Sequence, residues 1–367
     1  MGYLFLLAAV VVLVILVLKY YPPLGAQAKG DARSAIDGSD NYVGGKFIYP
    51  LPTPMEMSFK EMSKIMTEMI KGGSNRKPLN GIPMDRWEPQ QLLESSSQAR
   101  LVWFGHSALF LQVNGLNLLL DPMLGPSPSP VPMVGGKRYG GELPISIDDL
   151  PPIDAVILSH DHYDHLDYGT IKKLKNKVRR FFVPLGVEAH LERWGVDRER
   201  ITSADWWDEF DFEGLKLACT PARHFSGRSM TDRYQTLWCS WVIDSGGTKL
   251  YFSGDSGYGD HFKQIGNKYG PFDVTLMECG QYDKRWPLIH MMPEETVQAH
   301  REIGGKVMIP IHWGAFTLAL HDWTDPVERV LRAAEQHNVV VATPRIGQAV
   351  MLGTSEIPAA AWWRHHV

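Results

Sequence analysis

One short segment of the chain carries side chains suited to binding metal ions. Residues 160–165 read HDHYDH, which has the form H-x-H-x-D-H. In an extended segment alternate side chains face the same way, so His160 and His162 can converge on one ion. Asp164 and His165 can then turn toward a second ion nearby. Imidazole and carboxylate groups suit zinc, and less selectively iron or manganese. A polar surface loop is the alternative, but such density of ligands predicts a metal site.

Three further candidate ligands, His224, Asp255 and His312, occur later in the chain. Each has an ordinary explanation when taken alone. A single histidine such as His224 can be a satisfied core or surface residue. Asp255 lies in a glycine-flanked turn, where aspartate is common, and His312 could simply be packed by its apolar neighbours. What they share with His160 is position, because each comes shortly after an apolar run typical of a β-strand.

Short apolar runs recur from residue 100 onward and predict the strands that position these residues. They lie at Leu101–Phe104, Ala108–Val113, Leu116–Leu120, Ala155–Leu158, Arg180–Val183, Leu215–Cys219, Trp238–Ile243, Lys249–Phe252, Val274–Met277 and Val307–Ile311. Helical patterns occur at Tyr168–Lys177, Pro293–Ile303 and Pro326–His337. Strands with helices between them predict an α/β sandwich of layers. In such folds sites gather on loops at the strand ends.

The N-terminal segment, residues 1–24, contains an apolar run from Tyr3 to Leu18 without a charge. The run is slightly shorter than the roughly 20 residues of a full membrane span. Small residues at 26–28 suggest a cleaved signal peptide. An uncleaved single-pass membrane anchor is favoured, because no Lys or Arg precedes the run whereas Lys19 follows it. The same charges favour a cytoplasmic catalytic domain.

Composition divides the rest of the chain into three parts. Residues 25–55 are rich in Gly, Ser and Asp and are predicted to be a linker, residues 56–355 a globular domain, and residues 356–367 a solvated C-terminal tail. Phe59–Ile70 has helical apolar spacing. Its methionines could face a membrane, although packing is their ordinary role. The tryptophan pair at 362–363 is a further candidate for touching lipid headgroups.

The overall composition excludes some partners. The 37 basic and 41 acidic residues give a net charge of -4, so no basic excess indicates nucleic acid. Cys219, Cys239 and Cys279 include no C-x-x-C pair, and each lies in or beside an apolar run. They are predicted to be buried small hydrophobic groups rather than disulfides or zinc thiolates. The sequence does not determine the oligomeric state.

Ten motifs around these candidates carry a family resemblance. They lie at residues 103–107, 118–123, 151–156, 162–167, 205–207, 254–258, 270–273, 282–286, 293–295 and 311–314. Together they resemble the metallo-β-lactamase superfamily. Within it they resemble the N-acyl-phosphatidylethanolamine-hydrolysing phospholipase D family and a related RomA-like bacterial group. The resemblance spans roughly residues 80–350. It implies a four-layer αββα sandwich that follows the predicted N-terminal anchor in the chain. The segment FSGR after His224 departs from the family's bulkier, more basic sequence.

The resemblance also implies a pair of Zn²⁺ ions, with iron or manganese as alternatives. Seven residues would supply the ligands, with Asp255 bridging both ions: His160, His162 and His224 for the first, and Asp164, His165 and His312 for the second. Open coordination positions would remain for water, as catalysis requires.

Such a pair would hold a bridging hydroxide that attacks phosphorus. The implied activity is that of a phospholipase D-type phosphodiesterase, which releases N-acylethanolamine and phosphatidic acid from N-acyl-phosphatidylethanolamine. Asp164 and Asp255 could also transfer protons while bound to metal. By the same resemblance Gln281, Tyr282 and His290 would lie near the substrate head group. The alternative for His290 is an exposed loop histidine.

Two alternatives to a lipid phosphodiesterase are open. One is a metal-dependent hydrolase of a soluble lactone, ester or other carbonyl substrate, and the other is a non-catalytic metal-binding protein. The predicted anchor favours the lipid substrate, because it would hold the site beside a bilayer. His106, which follows a strand, is predicted to be a structural polar cap. A hydrogen bond that orients a metal ligand is the other possible role.

Overall fold

The computed structural model describes residues 20–54, 58–73, 75–93, 98–133, 136–229 and 231–366, with residues 3, 5, 6 and 16. Within these ranges there are eight α-helices: α1 (Asp31–Asp37), α2 (Phe59–Lys71), α3 (Pro89–Leu93), α4 (Tyr168–Leu174), α5 (Glu188–Arg193), α6 (His261–Tyr269), α7 (Pro293–Glu302) and α8 (Asp325–His337). Single 3₁₀ turns lie at Pro22–Leu24, Ile147–Asp149, Arg198–Arg200 and Trp362–His365.

Two seven-stranded sheets form the centre of the molecule, and a separate hairpin joins β1 (Tyr42–Val43) to β2 (Lys46–Phe47). The first sheet has the order β16-β3-β4-β5-β6-β7-β8: β16 (Ala349–Met351), β3 (Arg100–Trp103), β4 (Leu109–Val113), β5 (Leu116–Leu120), β6 (Ile153–Ile157), β7 (Val178–Pro184) and β8 (Ile201–Ala204). The second has the order β15-β14-β13-β12-β11-β10-β9: β15 (Val340–Val341), β14 (Gly305–Ile311), β13 (Phe272–Glu278), β12 (Lys249–Phe252), β11 (Ser240–Asp244), β10 (Leu215–Thr220) and β9 (Glu209–Phe212).

The two sheets share one pairing pattern. In each, three antiparallel pairings are followed by three parallel pairings, with the change at β5 in the first sheet and at β12 in the second. Parallel strands need crossover connections, which place helices on the sheet faces. The parallel half of each sheet therefore ends in loops that can gather side chains at one edge.

Apolar residues on both faces of the strands explain the layers. Along β3, Leu101 packs in the larger apolar cluster and Val102 in the smaller one, because alternate side chains face opposite ways. The smaller cluster includes Ile171 of α4 and Leu191 of α5, which cover the first sheet. The larger cluster includes both sheets and residues of α6, α7 and α8, among them Val330. The predicted α/β sandwich is confirmed.

The N-terminal region differs from its prediction in part. The anchor predicted within residues 1–24 falls almost entirely outside the described residues. Among the described residues, no helix has the length and apolar character needed to cross a membrane. Residues 25–55, predicted as a linker, contain α1 and the β1–β2 hairpin instead. Although the segment is polar in composition, Ile36 and Phe47 pack in the larger apolar cluster, and each is only 1% exposed.

The C-terminal residues are also part of the domain. Trp362 and Trp363, predicted to lie in a solvated tail with access to lipid, are buried in the larger apolar cluster. Their rings contact Trp313 at centroid distances of 5.5 and 5.4 Å. The prediction that they touch lipid headgroups is wrong, because the free energy of burying two indole rings outweighs the polarity of the neighbouring Arg and His residues.

Candidate metal centre

The candidate ligands all follow strands and meet at one edge of the sandwich. His160 comes three residues after β6, His224 four after β10, Asp255 three after β12, and His312 directly after β14. All four are at most 3% exposed. Gly254 is required for this approach, because a Cβ at that position would lie 2.6 Å from the Cβ of Ser159.

The first group of ligand atoms surrounds a single point. The Nε2 atom of His160 lies 2.9 Å from Nδ1 of His162, which lies 3.2 Å from Nε2 of His224. Oδ2 of Asp255 is 3.8 Å from both outer nitrogens. These four residues offer atoms that lie within 4.8 Å of one another. The spacing suits one metal ion with three imidazoles and a carboxylate around it.

The second group lies on the other side of Asp255. Its Oδ1 atom is 3.1 Å from Nε2 of His165 and 3.1 Å from Nδ1 of His312. Oδ2 of Asp164 lies 3.5 Å from Nε2 of His165 and 4.0 Å from Nε2 of His312. The two oxygens of Asp255 therefore face the two groups, one each, as a bridging ligand would.

Asp121 holds one histidine of each group in place, and sequence reasoning did not assign it to the site. His165 donates through Nδ1–H to Asp121 Oδ2 at 2.6 Å, so its Nε2 faces the centre. His160 Nδ1 lies 2.8 Å from Ser159 Oγ, which hydrogen-bonds Asp121 Oδ2. Asp121 directly follows β5, and this position at a strand end was the available signal.

We expect the Asp121→Asn protein to bind metal roughly 10- to 100-fold more weakly, the usual effect of removing a carboxylate that orients a ligand. The Asp121 carboxylate accepts from Ser159 N through Oδ1 and from Ser159 Oγ and His165 Nδ1 through Oδ2, whereas an amide must turn its NH₂ group toward one of these two sides. Metal affinity is measured by competition with a chromogenic chelator. The matched control is Asp148→Asn, at a side chain that is 68% exposed. Equal affinities for the two variants would contradict this role.

His106 is a site residue rather than the structural polar cap predicted from the sequence. It is fully buried and its Nε2 lies 2.8 Å from Oδ2 of Asp164. The hydrogen bond directs the Asp164 carboxylate toward the second group. His106 also belongs to a set of four residues, with Asp164, His165 and His312, that could hold an ion. Its backbone pairs with Trp313, which ties β3 to the end of β14.

His290 lies beside both groups. Its ring centroid is 5.0 Å from that of His224 and 5.2 Å from that of His312. It is 9% exposed, so the alternative of an exposed loop histidine does not hold. Glu278, which sequence reasoning missed although it ends β13, accepts from His290 Nδ1 at 3.2 Å and from Met291 N at 2.7 Å. Burial raises the pKa of Glu278 and lowers the pKa of His290.

Gln281 and Tyr282, which the resemblance implies lie near the substrate head group, form hydrogen bonds within the protein. The Gln281 amide donates to the carbonyl of Phe316 at 3.2 Å and accepts from Leu318 N at 3.0 Å. The Tyr282 hydroxyl donates to Asp325 of α8. These bonds satisfy both side chains within the protein, so they support the loop that carries His290.

Several site residues adopt a backbone conformation that L-amino acids seldom use. The φ angles are 57° at His106, 37° at Asp121, 60° at Gln281 and 66° at His312. Non-glycine residues in the left-handed region persist where the surrounding structure fixes them, and they concentrate at functional sites. At His106, Asp121 and His312 the left-handed turn follows a strand, and each of these side chains faces the centre.

The two groups fit metal ions. Among the described residues, His165 Nε2 and Asp255 Oδ1 are buried and lack a hydrogen-bond partner, although both face the centre. Buried polar atoms without partners are costly, and a cation would satisfy both. Burial also lowers the pKa of His160, His224 and His312 well below the usual histidine value. Neutral imidazoles are the form that binds metal.

Metal uptake is expected to weaken as the pH falls from 8 to 5, and to weaken more steeply below about 6. Burial raises the pKa of Asp255 to about 6 in the metal-free protein. Burial alone would lower the pKa of His165, but nearby carboxylates, Asp255 first among them, outweigh it and raise that pKa well above its usual value. Both groups must lose a proton to bind metal. Apparent affinity should therefore fall about tenfold per pH unit for each displaced proton. Calorimetric titration between pH 5 and pH 8 measures this, and a flat profile would contradict it.

Comparison with known proteins agrees with this geometry. Residues 116–313, more than half of the chain, match the beta-lactamase superfamily domain. The chain belongs to the metallo-β-lactamase superfamily. It is 42% identical over 346 residues to an uncharacterized protein of Mycobacterium tuberculosis, covering 93% of this chain and 91% of that protein. It is 32% identical over 241 residues to the N-acyl-phosphatidylethanolamine-hydrolyzing phospholipase D 1 of Caenorhabditis elegans, covering 62% and 67%.

A solved structure has the same fold. A metallo hydrolase from the archaeon Ignicoccus hospitalis superposes with a TM-score of 0.54 at 22% identity, covering 71% of this chain and all of that one. The resemblance inferred from the motifs is confirmed. The protein is a metal-dependent hydrolase of this superfamily, and the fold implies divalent metal ions near the clusters described above.

Proposed function

We propose that the protein is a two-zinc phosphodiesterase that hydrolyses N-acyl-phosphatidylethanolamine-type phospholipids to N-acylethanolamine and phosphatidic acid. The observation that carries the proposal is the position of Asp255, whose two oxygens face two separate groups of histidines. Two metal ions sharing one carboxylate are a recurrent arrangement for displacement at phosphorus. The similarity to the C. elegans enzyme, which is named for this substrate, supports the choice of lipid.

In this proposal His160, His162 and His224 hold one ion, Asp164, His165 and His312 hold the other, and Asp255 contacts both. Zinc suits this donor set, with iron or manganese as possible substitutes. When bound, the ions supply charge neutralisation at phosphorus and lower the pKa of water.

The remaining chemistry belongs to the protein's own side chains. Asp255 and Asp164 are placed to accept a proton from the attacking water, since both lie at the centre of the clusters. His290 Nε2 is left for the substrate, because Nδ1 is engaged by Glu278. With its hydrogen on Nδ1, the neutral imidazole has a free lone pair on Nε2, so it can take a proton there and then pass that proton to the leaving group.

The His290→Ala enzyme is expected to keep its metal but lose turnover. His290 is placed beside the metal ligands and not among the seven residues proposed to bind metal. Loss of a general acid–base group lowers kcat by roughly 10²- to 10⁴-fold. Steady-state kinetics and elemental analysis of the same preparation measure both properties. Loss of metal in this variant would show instead that His290 is a ligand.

The assay for the proposal is release of N-acylethanolamine and phosphatidic acid from N-acyl-phosphatidylethanolamine in mixed micelles. The full-length enzyme is loaded with zinc, and Asp164→Asn is the inactive control. We expect release that depends on metal and is lost in the variant. No release by a protein that holds two equivalents of metal would refute the substrate, and hydrolysis of a lactone or ester instead would establish the carbonyl alternative.

The apolar run at Tyr3–Leu18 is proposed to hold the enzyme at a membrane as a single-pass anchor, with the catalytic domain on the cytoplasmic side. The proposal rests on the sequence of the run and on the charge of Lys19. Carbonate extraction of membranes from cells that produce the full chain tests the anchor. Protease protection of intact and opened cells tests the side, and cleavage in intact cells would contradict a cytoplasmic domain.

A further inference from the structure

Helix α2 leaves an apolar stripe uncovered. Met62, Met66 and Ile70 are spaced four residues apart, so they share one face of the helix. Their exposed fractions are 53%, 61% and 80%. Packing against the core is the ordinary role expected of methionines in such a helix, but Met62 and Met66 are exposed. A contiguous exposed apolar stripe of this kind marks an interaction surface.

The other face of α2 is basic. It carries three exposed lysines: Lys60, Lys64 and Lys71. The two acidic side chains of the helix have specific partners. Glu61 completes a capping box with Ser58, and Glu68 pairs with Arg285 at 3.0 Å. A helix with an apolar stripe and a lysine face is suited to lie in a bilayer interface, the stripe among acyl chains and the lysines near phosphates.

The pair between Glu68 and Arg285 connects α2 to the metal centre. Arg285 lies in the segment between Gln281 and His290, and it also bonds Asp283 at 2.7 Å. Glu68 and Arg285 are both largely covered, with side chains 34% and 22% exposed. The helix is therefore attached to the loop that places His290 beside the metal ligands.

The loop between β5 and β6 also exposes apolar side chains. Its tip exposes Met133 (94%) and Val131 (43%). The Tyr21 hydroxyl donates to the carbonyl of Pro130 in this loop. This bond places Tyr21, which follows the N-terminal apolar run by three residues, next to a residue near the exposed tip. Further along the loop, Tyr139 and its neighbours line a cleft of about 750 Å³ with the C-terminal end of α2.

We propose that the α2 stripe and the loop tip form a surface that docks onto a phospholipid bilayer and orients the metal centre toward it. The inference rests on the proposed lipid substrate. The occupant is a bilayer because α2 and the loop expose apolar side chains, α2 adds lysines, and Tyr21, just after the apolar run, bonds to the loop. The lysine face favours phosphate-bearing headgroups.

The position of α2 is tested with a fluorophore at residue 66 of the full chain. Cys219, Cys239 and Cys279 are all buried, so a maleimide dye can be directed to Met66→Cys. The matched control is Lys64→Cys on the opposite face. In nanodiscs we expect the dye at 66 to be quenched by a lipid-borne quencher at least about twofold more than the dye at 64, because the stripe enters the interface by about 5–10 Å.

Equal quenching at the two positions would overturn the proposal. A shift in the emission wavelength of the dye at 66 that depends on protein concentration and not on lipid would also overturn it. The stripe would then bind a second copy of the chain. This measurement does not require turnover, so it stands apart from the test of the proposed activity.

A kinetic test separates docking from catalysis. Ile70→Glu is expected to lower hydrolysis of vesicle-borne substrate about tenfold and to leave a monomeric short-chain analogue unaffected. Thr67→Glu adds the same charge on the polar face and should change neither rate. Equal loss on both substrates would contradict a docking role. Absence of hydrolysis by the unmodified enzyme on either substrate would instead refute the proposed function.

Discussion

The Asp255→Ala protein is expected to lose both metal ions and to retain less than roughly a thousandth of the wild-type activity. Asp255 is the residue whose oxygens contact both groups of histidines, at 3.1 Å from His165 and 3.8 Å from His160. Without it, each group keeps three ligands but loses the negative charge that offsets two cations. Elemental analysis and the micelle assay on the same preparation measure the effect.

Asp260→Ala is the matched control for this prediction. Asp260 lies five residues later, is exposed, and its side chain makes no capping bond at the start of α6. It should keep both metal equivalents and full turnover. Retention of two equivalents by Asp255→Ala would contradict a bridging role. Circular dichroism distinguishes loss of metal from loss of the fold.

The second large effect is expected on stability. Replacing Trp363 by alanine should lower the free energy of unfolding by about 3–5 kcal/mol, the usual cost of truncating a buried tryptophan. Trp363 is fully buried, packs edge-on against Trp313 at 5.4 Å, and donates through Nε1 to Glu328 at 2.7 Å. Urea unfolding followed by far-ultraviolet circular dichroism measures the change.

Arg364→Ala is the control, because the neighbouring residue is 58% exposed and pairs with the same Glu328. An exposed ion pair of this kind contributes at most about 1 kcal/mol. If the two variants had equal stability, the C-terminal residues would be peripheral, as their sequence suggested. A large difference would establish them as part of the core.

The residues of the two candidate metal-binding groups could be predicted to lie together because their signal is local. The spacing in residues 160–165 alone indicates a pair of sites, and His224, Asp255 and His312 follow apolar runs that are recognisable as strands. Most predicted strands agree with the structure to within two residues at their ends, because residues buried on both sheet faces give continuous apolar runs. Short edge strands such as β15 and β16 lack that signal.

The supporting residues could not be predicted because their partners are distant in the chain. Asp121 and His165 are 44 positions apart in the chain, and the pairing of β5 with β6 brings them into contact. Glu278 meets His290 only because β13 ends beneath the loop that carries it. In each case the carboxylate is unremarkable in sequence, and its role appears once the order of strands in the sheet is known.

The limits of the domain could not be predicted either, because only a few buried side chains attach the terminal segments to the core. Residues 25–55 have the composition of a linker, yet Ile36 and Phe47 attach them to the core. Trp362 and Trp363 do the same at the other end. Composition averages over a segment, whereas one or two buried large side chains are sufficient to fix it on the domain.

The most direct test of the central claim is the position of the oxygen that comes from water. Hydrolysis of N-acyl-phosphatidylethanolamine by the zinc-loaded enzyme is run in water enriched in heavy oxygen, and the products are examined by mass spectrometry. Attack at phosphorus predicts the label in the phosphate of phosphatidic acid and none in N-acylethanolamine. Label in the carboxylate of a released fatty acid would contradict the account, because it would show that the enzyme attacks a carbonyl carbon.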